Sequence, residues 1–218
     1  NVTVWLGAFR AMTEICVDEV YEFSDSLFLA YCLKEFDDNG DGRLQGLEVF
    51  DVEGLDLEGL SRYERCISLK GIEEFANLKK LNISGLCIAE LDLSRNVELR
   101  DIDCSLAQIE RLDLRKNKKL QMLDCHGCAT LREIDFGAYR VYGENDINVL
   151  NCFGCALDTL DLSRCWDLEY IDCRDNNLRG LDLSKSSLLT QLSCSGNEIV
   201  DIIFAEGFDM SQLKTYDR

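Results

Sequence analysis

The chain has 218 residues, of which 46% are hydrophobic, and a formal net charge of −18 at pH 7. That hydrophobic share is ample for a continuous core. The charge repels nucleic-acid phosphates and anionic lipids, so we expect no nucleic-acid partner. The sequence has no apolar run of 18 residues and opens on no export signal, which predicts a soluble chain without a transmembrane segment, either cytosolic or already trimmed of its signal.

Residues 1–60 show no internal repeat, and their pattern predicts mostly helix. Apolar residues recur at intervals of three and four over 25–36, with Ser24 as the expected N-cap, so we predict a helix there that buries Cys32. An earlier helix over 9–23 and a short strand over 2–6 are also predicted. The stretch from position 14 to position 58 contains fourteen acidic residues and only two basic ones, so it carries two thirds of the net charge.

The most specific chemical motif is the twelve-residue loop 37–48. It matches the EF-hand pattern D-x-[DN]-x-[DN]-G-x5-E at each required position. Ca²⁺ prefers six to eight oxygen ligands on a sharply bent loop, and Gly42 permits the bend. The expected ligands are the side chains of Asp37, Asn39 and Asp41, the carbonyl of Arg43, Gln45 directly or through water, and both carboxylate oxygens of Glu48.

The flanking pattern supports this interpretation of the loop. Leu44 fits the apolar position that docks such a loop, the helix over 25–36 enters it, and a short helix over 46–52 leaves it. The alternative is a solvated acidic turn, which has a similar composition. No second loop pairs with this one, so we predict a structural calcium clip rather than a sensor.

From about residue 66 a short pattern repeats along the chain. Leu or Ile, two variable residues, Leu or Ile, one variable residue and then Cys recur, with the cysteines at Cys104, Cys125, Cys152, Cys173 and Cys194. The cysteines are 21 residues apart except for one interval of 27, which a loop over 137–146 accounts for. Such a period, with the leucine-rich repeat consensus and a second half L-D-L-S-x-N, predicts a solenoid.

The length of the repeat also predicts its shape. Twenty-one residues leave room for a strand, a turn and an extended return, but not for a full helix on the convex side. The predicted fold is therefore α/β: a leucine-rich repeat solenoid of strand-rich units at 61–218 behind a helical N-terminal cap at 1–60. The segment 210–216 starts a further unit.

Two C-x-x-C pairs, Cys125/Cys128 and Cys152/Cys155, resemble a four-thiolate zinc site or a redox motif. The repeat register favours another interpretation. The first cysteine of each pair belongs to the buried ladder, while Cys128 and Cys155 occupy the turn position that Asn176 and Asn197 hold in later units. We therefore predict free, buried ladder thiols and no zinc.

Four further cysteines have no place in the repeat. They are Cys16, Cys32, Cys66 and Cys87. Because the repeat explains most of the others, the cysteine count alone does not fix the redox compartment.

Strand alternation places the residues beside the ladder on the concave surface. They are Lys80, Asn82, Ser84, Asp101, Asp103, Ser105, Met122, Asp124, His126, Val149, Asn151, Phe153, Tyr170, Asp172, Arg174, Gln191, Ser193 and Ser195. Aromatic residues and arginine are typical of binding hot spots. The predicted binding surface is accordingly Met122, His126, Val149, Phe153, Tyr170 and Arg174. The alternative is that these are ordinary scattered apolar residues.

Catalysis is the least favoured hypothesis. His126 is the only histidine, so no second histidine exists for a catalytic pair or zinc cluster. Asp103 and Asp124 could act as a general acid and base, but aspartates on adjacent strands more often form a solvated stripe. A second aspartate column, in the L-D-L halves, is expected to accept hydrogen bonds at its turns.

The order of these parts, from F-L-A-Y-C-L-K-E-F-D-D-N-G-D-G at 28–42 through L-K-G-I-E-E-F-A-N-L at 69–78 to the alternating repeats, resembles the leucine-rich repeat proteins of Bacteroides-type gut bacteria. The resemblance covers about residues 24–215. It implies an exported, often lipid-anchored protein at the cell surface, where millimolar calcium would fill a weak site. It further implies a non-catalytic binding or adhesion module for a protein or glycan ligand. The alternative is a structural spacer without a ligand of its own.

Overall fold

Short parallel strands dominate the computed structural model, which describes residues 20–62, 65–137 and 146–217. Two α-helices precede them, α1 (Ser26–Phe36) and α2 (Gly46–Phe50). The strands are β1 (Gly54–Asp56), β2 (Ile67–Ser68), β3 (Lys80–Asn82), β4 (Ile88–Glu90), β5 (Asp101–Asp103), β6 (Arg111–Asp113), β7 (Met122–Asp124), β8 (Glu133–Asp135), β9 (Val149–Asn151), β10 (Tyr170–Asp172), β11 (Gly180–Leu183), β12 (Gln191–Ser193), β13 (Asp201–Phe204) and β14 (Thr215–Asp217). Short 3₁₀ helices lie at Glu58–Arg62, Ile72–Glu74 and Met210–Gln212.

The strands form one large sheet and three small ones. The large parallel sheet has the order β1-β3-β5-β7-β9-β10-β12-β14, and the two-stranded sheets pair β2 with β4, β6 with β8 and β11 with β13. Each circuit of the chain thus adds one strand to the large sheet and a short return on the opposite side. This is the strand-rich solenoid that the 21-residue period predicts.

The sheet keeps one register through the long 27-residue interval. Leu123 of β7 is aligned with Leu150 of β9, just as Ile102 is aligned with Leu123 one unit earlier. The insertion therefore leaves the sheet undisturbed. Most of the inserted loop, predicted at 137–146, lies outside the described residues.

The core is a stack of the leucine, isoleucine and cysteine positions of the repeat. In one unit Leu168, Ile171, Cys173 and Leu178 are completely buried, and Leu181 is nearly so. The ladder cysteines are free and buried, which confirms their prediction. Burial raises the pKa of the Cys173 thiol, as it raises that of Cys152, so both stay protonated at neutral pH.

The turn cysteines take the structural place of asparagine. The Asn176 side chain donates to the carbonyl of Cys152 at 2.8 Å, and the Cys128 thiol donates to the carbonyl of Cys104 at 2.9 Å, at the same point of its unit. Cys155 likewise donates to the Cys125 carbonyl at 3.1 Å. The zinc-like spacing is therefore accounted for by the turns of the solenoid.

The N-terminal cap differs from the prediction in its details. Asp25, and not Ser24, is the N-cap of α1, because its carboxylate accepts the backbone N–H groups of Leu27 and Phe28. Ser24 instead donates its hydroxyl to that of Ser68. Helix α1 buries Cys32 as predicted, and α2 ends at Phe50 rather than at 52.

Two other N-terminal features also depart from the expected pattern. Residues 20–23, the end of the helix predicted at 9–23, are not helical, and Val20 forms an antiparallel bridge with Gln45. The rest of that helix, the strand predicted at 2–6 and Cys16 lie outside the described residues. The first strand of the large sheet, at Gly54–Asp56, precedes position 61, at which the sequence predicts that the solenoid starts.

A disulfide joins Cys66 to Cys87, two cysteines that the repeat pattern left unassigned. Their Cα atoms are 4.4 Å apart, and they flank the paired strands β2 and β4. Beside them, Arg65 forms an ion pair with Asp25, the cap of α1. The hydrogen bonds from the Arg65 guanidinium hold the pKa of Asp25 below its usual value. The disulfide thus joins strands β2 and β4 covalently, and the ion pair connects this part of the solenoid to the cap.

None of the helices in the described ranges is long and apolar enough to cross a membrane.

Candidate functional site

The outward side chains of the large sheet form three columns on the concave surface. One column carries the first residue of each strand, the second carries the last residue of each strand, and the third lies two positions beyond. Because neighbouring strands share one register, Met122, Val149 and Tyr170 are adjacent in the first column. His126, Phe153 and Arg174 occupy successive positions of the third.

In the middle column, strands β1, β3, β5, β7, β9 and β10 end in an Asp or Asn that closes the following turn, whereas β12 ends in Ser193. Each of these Asp and Asn side chains accepts a hydrogen bond from the backbone N–H two residues ahead. The Ser105 N–H donates to Asp103 at 2.9 Å, the His126 N–H to Asp124 at 3.0 Å and the Arg174 N–H to Asp172 at 3.2 Å. Asn82 and Asn151 accept the equivalent bond in their units. These side chains therefore fix the backbone that presents the third column.

Phe153 and Arg174 form the densest part of the predicted binding surface. The Arg174 guanidinium lies 5.1 Å from the centre of the Phe153 ring, within cation–π distance. It also makes paired hydrogen bonds to Asp172, at 2.9 Å from Nε and 2.6 Å from the terminal nitrogen. These contacts hold a flat, partly apolar patch in one orientation.

The six predicted residues are thus brought together as two columns on either side of Asp124, Asn151 and Asp172, although they are less exposed than the sequence suggests. Met122 is the most open of them, with 44% of its surface exposed, and the other five are half-buried. Asp172 and Ser105, also expected on the solvent face, are buried; the Arg174 guanidinium contacts Asp172, and the Ser105 hydroxyl donates to Asp103. His126 packs its Nδ1 2.8 Å from Asp124 Oδ1.

The second aspartate column lies on the opposite side of each unit: Asp113, Asp135 and Asp182 belong to strands of the small sheets, and Asp92 and Asp161 lie outside the strands. Asp92, Asp161 and Asp182 each accept the backbone N–H two residues ahead at 2.9 Å. Asp113 and Asp135 do the same. The expectation that these carboxylates serve turns is confirmed.

The loop 37–48 is bent by hydrogen bonds between its own side chains and backbone. The Asp37 carboxylate accepts the N–H groups of Gly40, Asp41 and Gly42, and Gly42 adopts a φ of +77°, which glycine takes without strain. The Glu48 carboxylate turns back to the Gln45 N–H at 3.0 Å. Leu44 is buried and its carbonyl accepts the Tyr21 N–H, so it docks the loop on the preceding segment.

The predicted ligands of this loop combine different kinds of oxygen. Asp37, Asp41 and Glu48 supply carboxylates, Asn39 and Gln45 amides, and Arg43 a carbonyl, which is the all-oxygen chemistry that Ca²⁺ prefers. Within the described ranges, no group of three or more His, Cys, Asp or Glu side chains is close enough to hold a metal ion. The calcium site therefore stays a prediction.

A groove beside helix α1 was not predicted from the sequence. It has a volume of about 620 Å³ and lies between α1 and strands β1, β3, β5 and β7. Its lining is Tyr31, Glu35, Phe36, Gly54, Leu55, Asp56, Lys80, Leu81, Asn82, Asp101, Ile102, Asp103, Met122 and Asp124. The helix periodicity assigns Phe36 to the core, but no local signal says that α1 overhangs the sheet.

No protein-family model matches the sequence, and a search of curated proteins finds no match. Among solved structures, the chain is similar to internalin C2 from Listeria monocytogenes, with 14% identity over 88% of this chain and 89% of that one and a TM-score of 0.52. This match shows the fold, a leucine-rich repeat solenoid as predicted.

Two further structures from the same organism are similar to this chain, which covers a smaller share of each of them. The functional domain of InlJ, which includes a cysteine ladder, has 19% identity over 75% of this chain and a TM-score of 0.49. The chain spans 46% of that domain. Internalin InlF has 14% identity over 89% of this chain and 75% of its own, with a TM-score of 0.47.

Proposed function

We propose that this leucine-rich repeat protein is a non-catalytic interaction or adhesion module that binds a protein or glycan ligand through its concave face. The carrying observation is the juxtaposition of Met122, Val149 and Tyr170 in one column with His126, Phe153 and Arg174 in another, on a rigid parallel sheet. Aromatic and arginine side chains that are already held in place lose little conformational entropy on binding, which favours them as hot spots.

The side chains of this surface are held in place even without a ligand. The Arg174 guanidinium is fixed by Asp172 and by the Phe153 ring, and the Asp172 carboxylate in turn accepts the Arg174 N–H. A partner therefore meets a flat apolar surface with charged groups at set positions. Complementarity to such a surface gives specificity without a deep pocket.

The test is a pair of double variants, one within the concave columns and one outside them. Partners are captured from a surface extract and identified, and the affinity of the purified partner is then measured by calorimetry. Phe153→Ala/Tyr170→Ala should weaken binding at least about thirtyfold, because hot-spot truncations cost about 2 kcal/mol or more. The control Trp166→Ala/Leu188→Ala removes two apolar side chains outside the concave columns that are more exposed than Phe153 and Tyr170, and it should leave the affinity within about twofold.

Equal affinity of the concave variant and the unmodified protein would contradict the concave face as the binding surface. If no partner of the unmodified protein is recovered, the structural-spacer hypothesis takes precedence, since a spacer needs no ligand of its own.

We further propose that the protein acts outside the cytoplasm, as an extracellular or cell-surface module. The disulfide between Cys66 and Cys87 supports this, because disulfides persist in oxidising compartments and are rare in the cytosol. Of the two, Cys66 is exposed and Cys87 is half-buried, so a cytosolic thiol pool would have access to the bond.

A structural Ca²⁺ ion in the loop 37–48 is the last part of the proposal. The ligands would be Asp37, Asn39, Asp41, Arg43, Gln45 and Glu48. The ion would neutralise carboxylates that repel one another in the most acidic stretch of the chain, and Leu44 would transmit the stabilisation to the segment on which the loop docks.

Calcium binding is tested by comparing the thermal unfolding of the protein in Ca²⁺ with its unfolding in chelator. Binding to the folded state alone should stabilise it by about 3 kcal/mol when free Ca²⁺ is a hundredfold above the dissociation constant. Glu48→Gln should abolish the difference, whereas Glu58→Gln, an exposed acid outside the loop, should preserve it. An unfolding temperature that does not respond to Ca²⁺ in the unmodified protein would refute the site.

A further inference from the structure

We propose that the groove beside helix α1 receives an arginine side chain carried by an extended segment of a protein partner. The inference rests on the proposed use of the concave face for interaction, and it adds the chemistry of the partner. The groove adjoins the predicted binding surface, because Met122 and Asp124 line one end of it. A partner could therefore occupy both at once.

The dimensions of the groove suit a short extended segment. Its floor runs from β1 to β7, which is three strand spacings or about 14 Å, and this is the length of about four residues of extended chain. Its volume of about 620 Å³ falls in the usual range of ligand sites. Because residues of α1 line one side of the groove and strand residues line the other, a single strand or loop fits between them more readily than a globular surface.

The charge of the groove calls for a cation. Glu35, Asp56, Asp101, Asp103 and Asp124 line it, and Lys80 is the only basic side chain among the described residues that do. Lys80 lies with its ammonium 3.1 Å from Asp101, and Lys34, outside the lining, pairs with Glu35. Five carboxylates against these two ammonium groups leave three negative charges over a partly apolar surface, which attracts a positively charged partner.

The carboxylates also keep acceptor capacity for a ligand. Asp103 accepts the backbone N–H and the hydroxyl of Ser105 through Oδ1 in both cases, and Asp56 accepts the Asn82 amide through Oδ1. In each residue Oδ2 is the oxygen that these bonds do not use. A guanidinium, with five N–H donors in a planar fork, can reach more than one such oxygen at a time.

The aromatic wall favours arginine over lysine. Tyr31 and Phe36 of α1 both line the groove, with ring centres 6.2 Å apart and rings nearly perpendicular. Burial raises the pKa of the Tyr31 phenol, so it stays neutral. A planar guanidinium can stack on an aromatic face while it binds carboxylates, whereas an ammonium is more strongly hydrated and pairs less readily in such a place.

The probe is the capped tetrapeptide acetyl-Leu-Arg-Leu-Arg-amide, titrated into the full chain by calorimetry. The matched peptides replace both arginines by citrulline, which keeps the shape and removes the charge, or by lysine. We expect the arginine peptide to bind, the citrulline peptide to bind at least about tenfold more weakly, and the lysine peptide to fall between them. An arginine peptide that does not bind, or that binds no better than the citrulline peptide, overturns the proposal.

The location is tested by removing two groove charges while keeping their turns. Asp56→Asn/Asp103→Asn should weaken the arginine peptide at least about tenfold. Asparagine suits this column, because Asn82 and Asn151 accept the same turn bond in neighbouring units. The control Asp161→Asn/Asp182→Asn makes the same change in the column on the opposite side and should leave the affinity unchanged. Equal losses in both double variants would show a general charge effect and overturn the groove.

Failure of this inference is distinguishable from failure of the proposed function. Phe153→Ala/Tyr170→Ala removes side chains outside the groove, so the peptide should bind it with unchanged affinity. Loss of peptide binding in that variant alone places the peptide on the patch and contradicts the groove. Conversely, a captured partner that depends on Phe153 and Tyr170 sustains the proposed function even if no peptide binds.

Discussion

Single turn residues carry much of the local order of this solenoid. Asn176 donates to the carbonyls of Cys152 and Cys173 and accepts the Leu157 N–H, so one buried amide satisfies backbone groups of neighbouring units. In two earlier units a cysteine stands at this position and makes one thiol hydrogen bond instead. Because a thiol is a weaker donor than an amide, these units gain less from the turn.

The difference can be measured with two alanine variants. Asn176→Ala leaves buried backbone groups without partners, so it should lower the free energy of unfolding by about 2 to 4 kcal/mol. Cys128→Ala loses one weak bond and a small apolar volume, so it should cost about 1 kcal/mol. Urea unfolding followed by circular dichroism provides the comparison. A cost for Cys128→Ala that equals or exceeds that of Asn176→Ala would contradict this account.

At the scale of elements, the stability of the cap and the first unit depends on a disulfide and an ion pair. Strand β2 has two residues and its pairing with β4 is irregular in register, so few backbone hydrogen bonds hold it. The disulfide Cys66–Cys87 joins these strands, and the Arg65–Asp25 ion pair connects them to the N-terminus of α1. A short element is stable here because a crosslink reduces the entropy of the unfolded chain.

Removal of the disulfide should therefore be costly. The bond spans 21 residues of sequence, and the loop-entropy relation gives about 3 kcal/mol for a loop of this length. Cys66→Ser/Cys87→Ser should lower the free energy of unfolding by about that amount in urea titrations. Reductant should reproduce the loss in the unmodified protein and have no further effect on the variant. An unmodified protein whose unfolding ignores reductant would argue against the bond.

Across the whole molecule, stability is built from stacked units that each contact their neighbours. The eight strands of the large sheet share one register, and each ladder position is covered by the unit before and the unit after it. Leu123 in the middle of the stack is completely buried, whereas Leu213, just before β14, is only partly buried. In such a fold the cost of a core substitution follows the number of neighbouring units that it affects.

This dependence predicts unequal effects of one substitution at two places. Leu123→Ala should lower the free energy of unfolding by about 3 kcal/mol or more, since it leaves a cavity between two packed units. Leu213→Ala should cost about 1 kcal/mol, because its side chain already contacts solvent. Urea unfolding measures both values, and amide hydrogen exchange should show the protection of β5, β7 and β9 reduced by the first variant alone. Similar costs at both positions would refute the stacked-unit description.

The 21-residue period is sufficient to predict the fold, because a repeat of buried positions with this spacing can only be satisfied by stacking. It also determined the ladder and turn roles of the cysteines, since register follows directly from spacing. The concave columns followed from strand alternation, although the burial of Asp172 did not, because it depends on the conformation of Arg174.

The contacts between distant segments, in contrast, are visible only in the three-dimensional structure. The Cys66–Cys87 pair, the Arg65–Asp25 contact and the groove between α1 and β7 each join elements whose separation in space no local pattern encodes. The structure also shows that Asp25 rather than Ser24 is the cap, which the sequence does not distinguish because either side chain can accept the first backbone N–H groups of a helix. Within the solenoid, the spacing of the repeat is sufficient to predict the structure, whereas the structure of the non-repeating cap depends on how its segments pack.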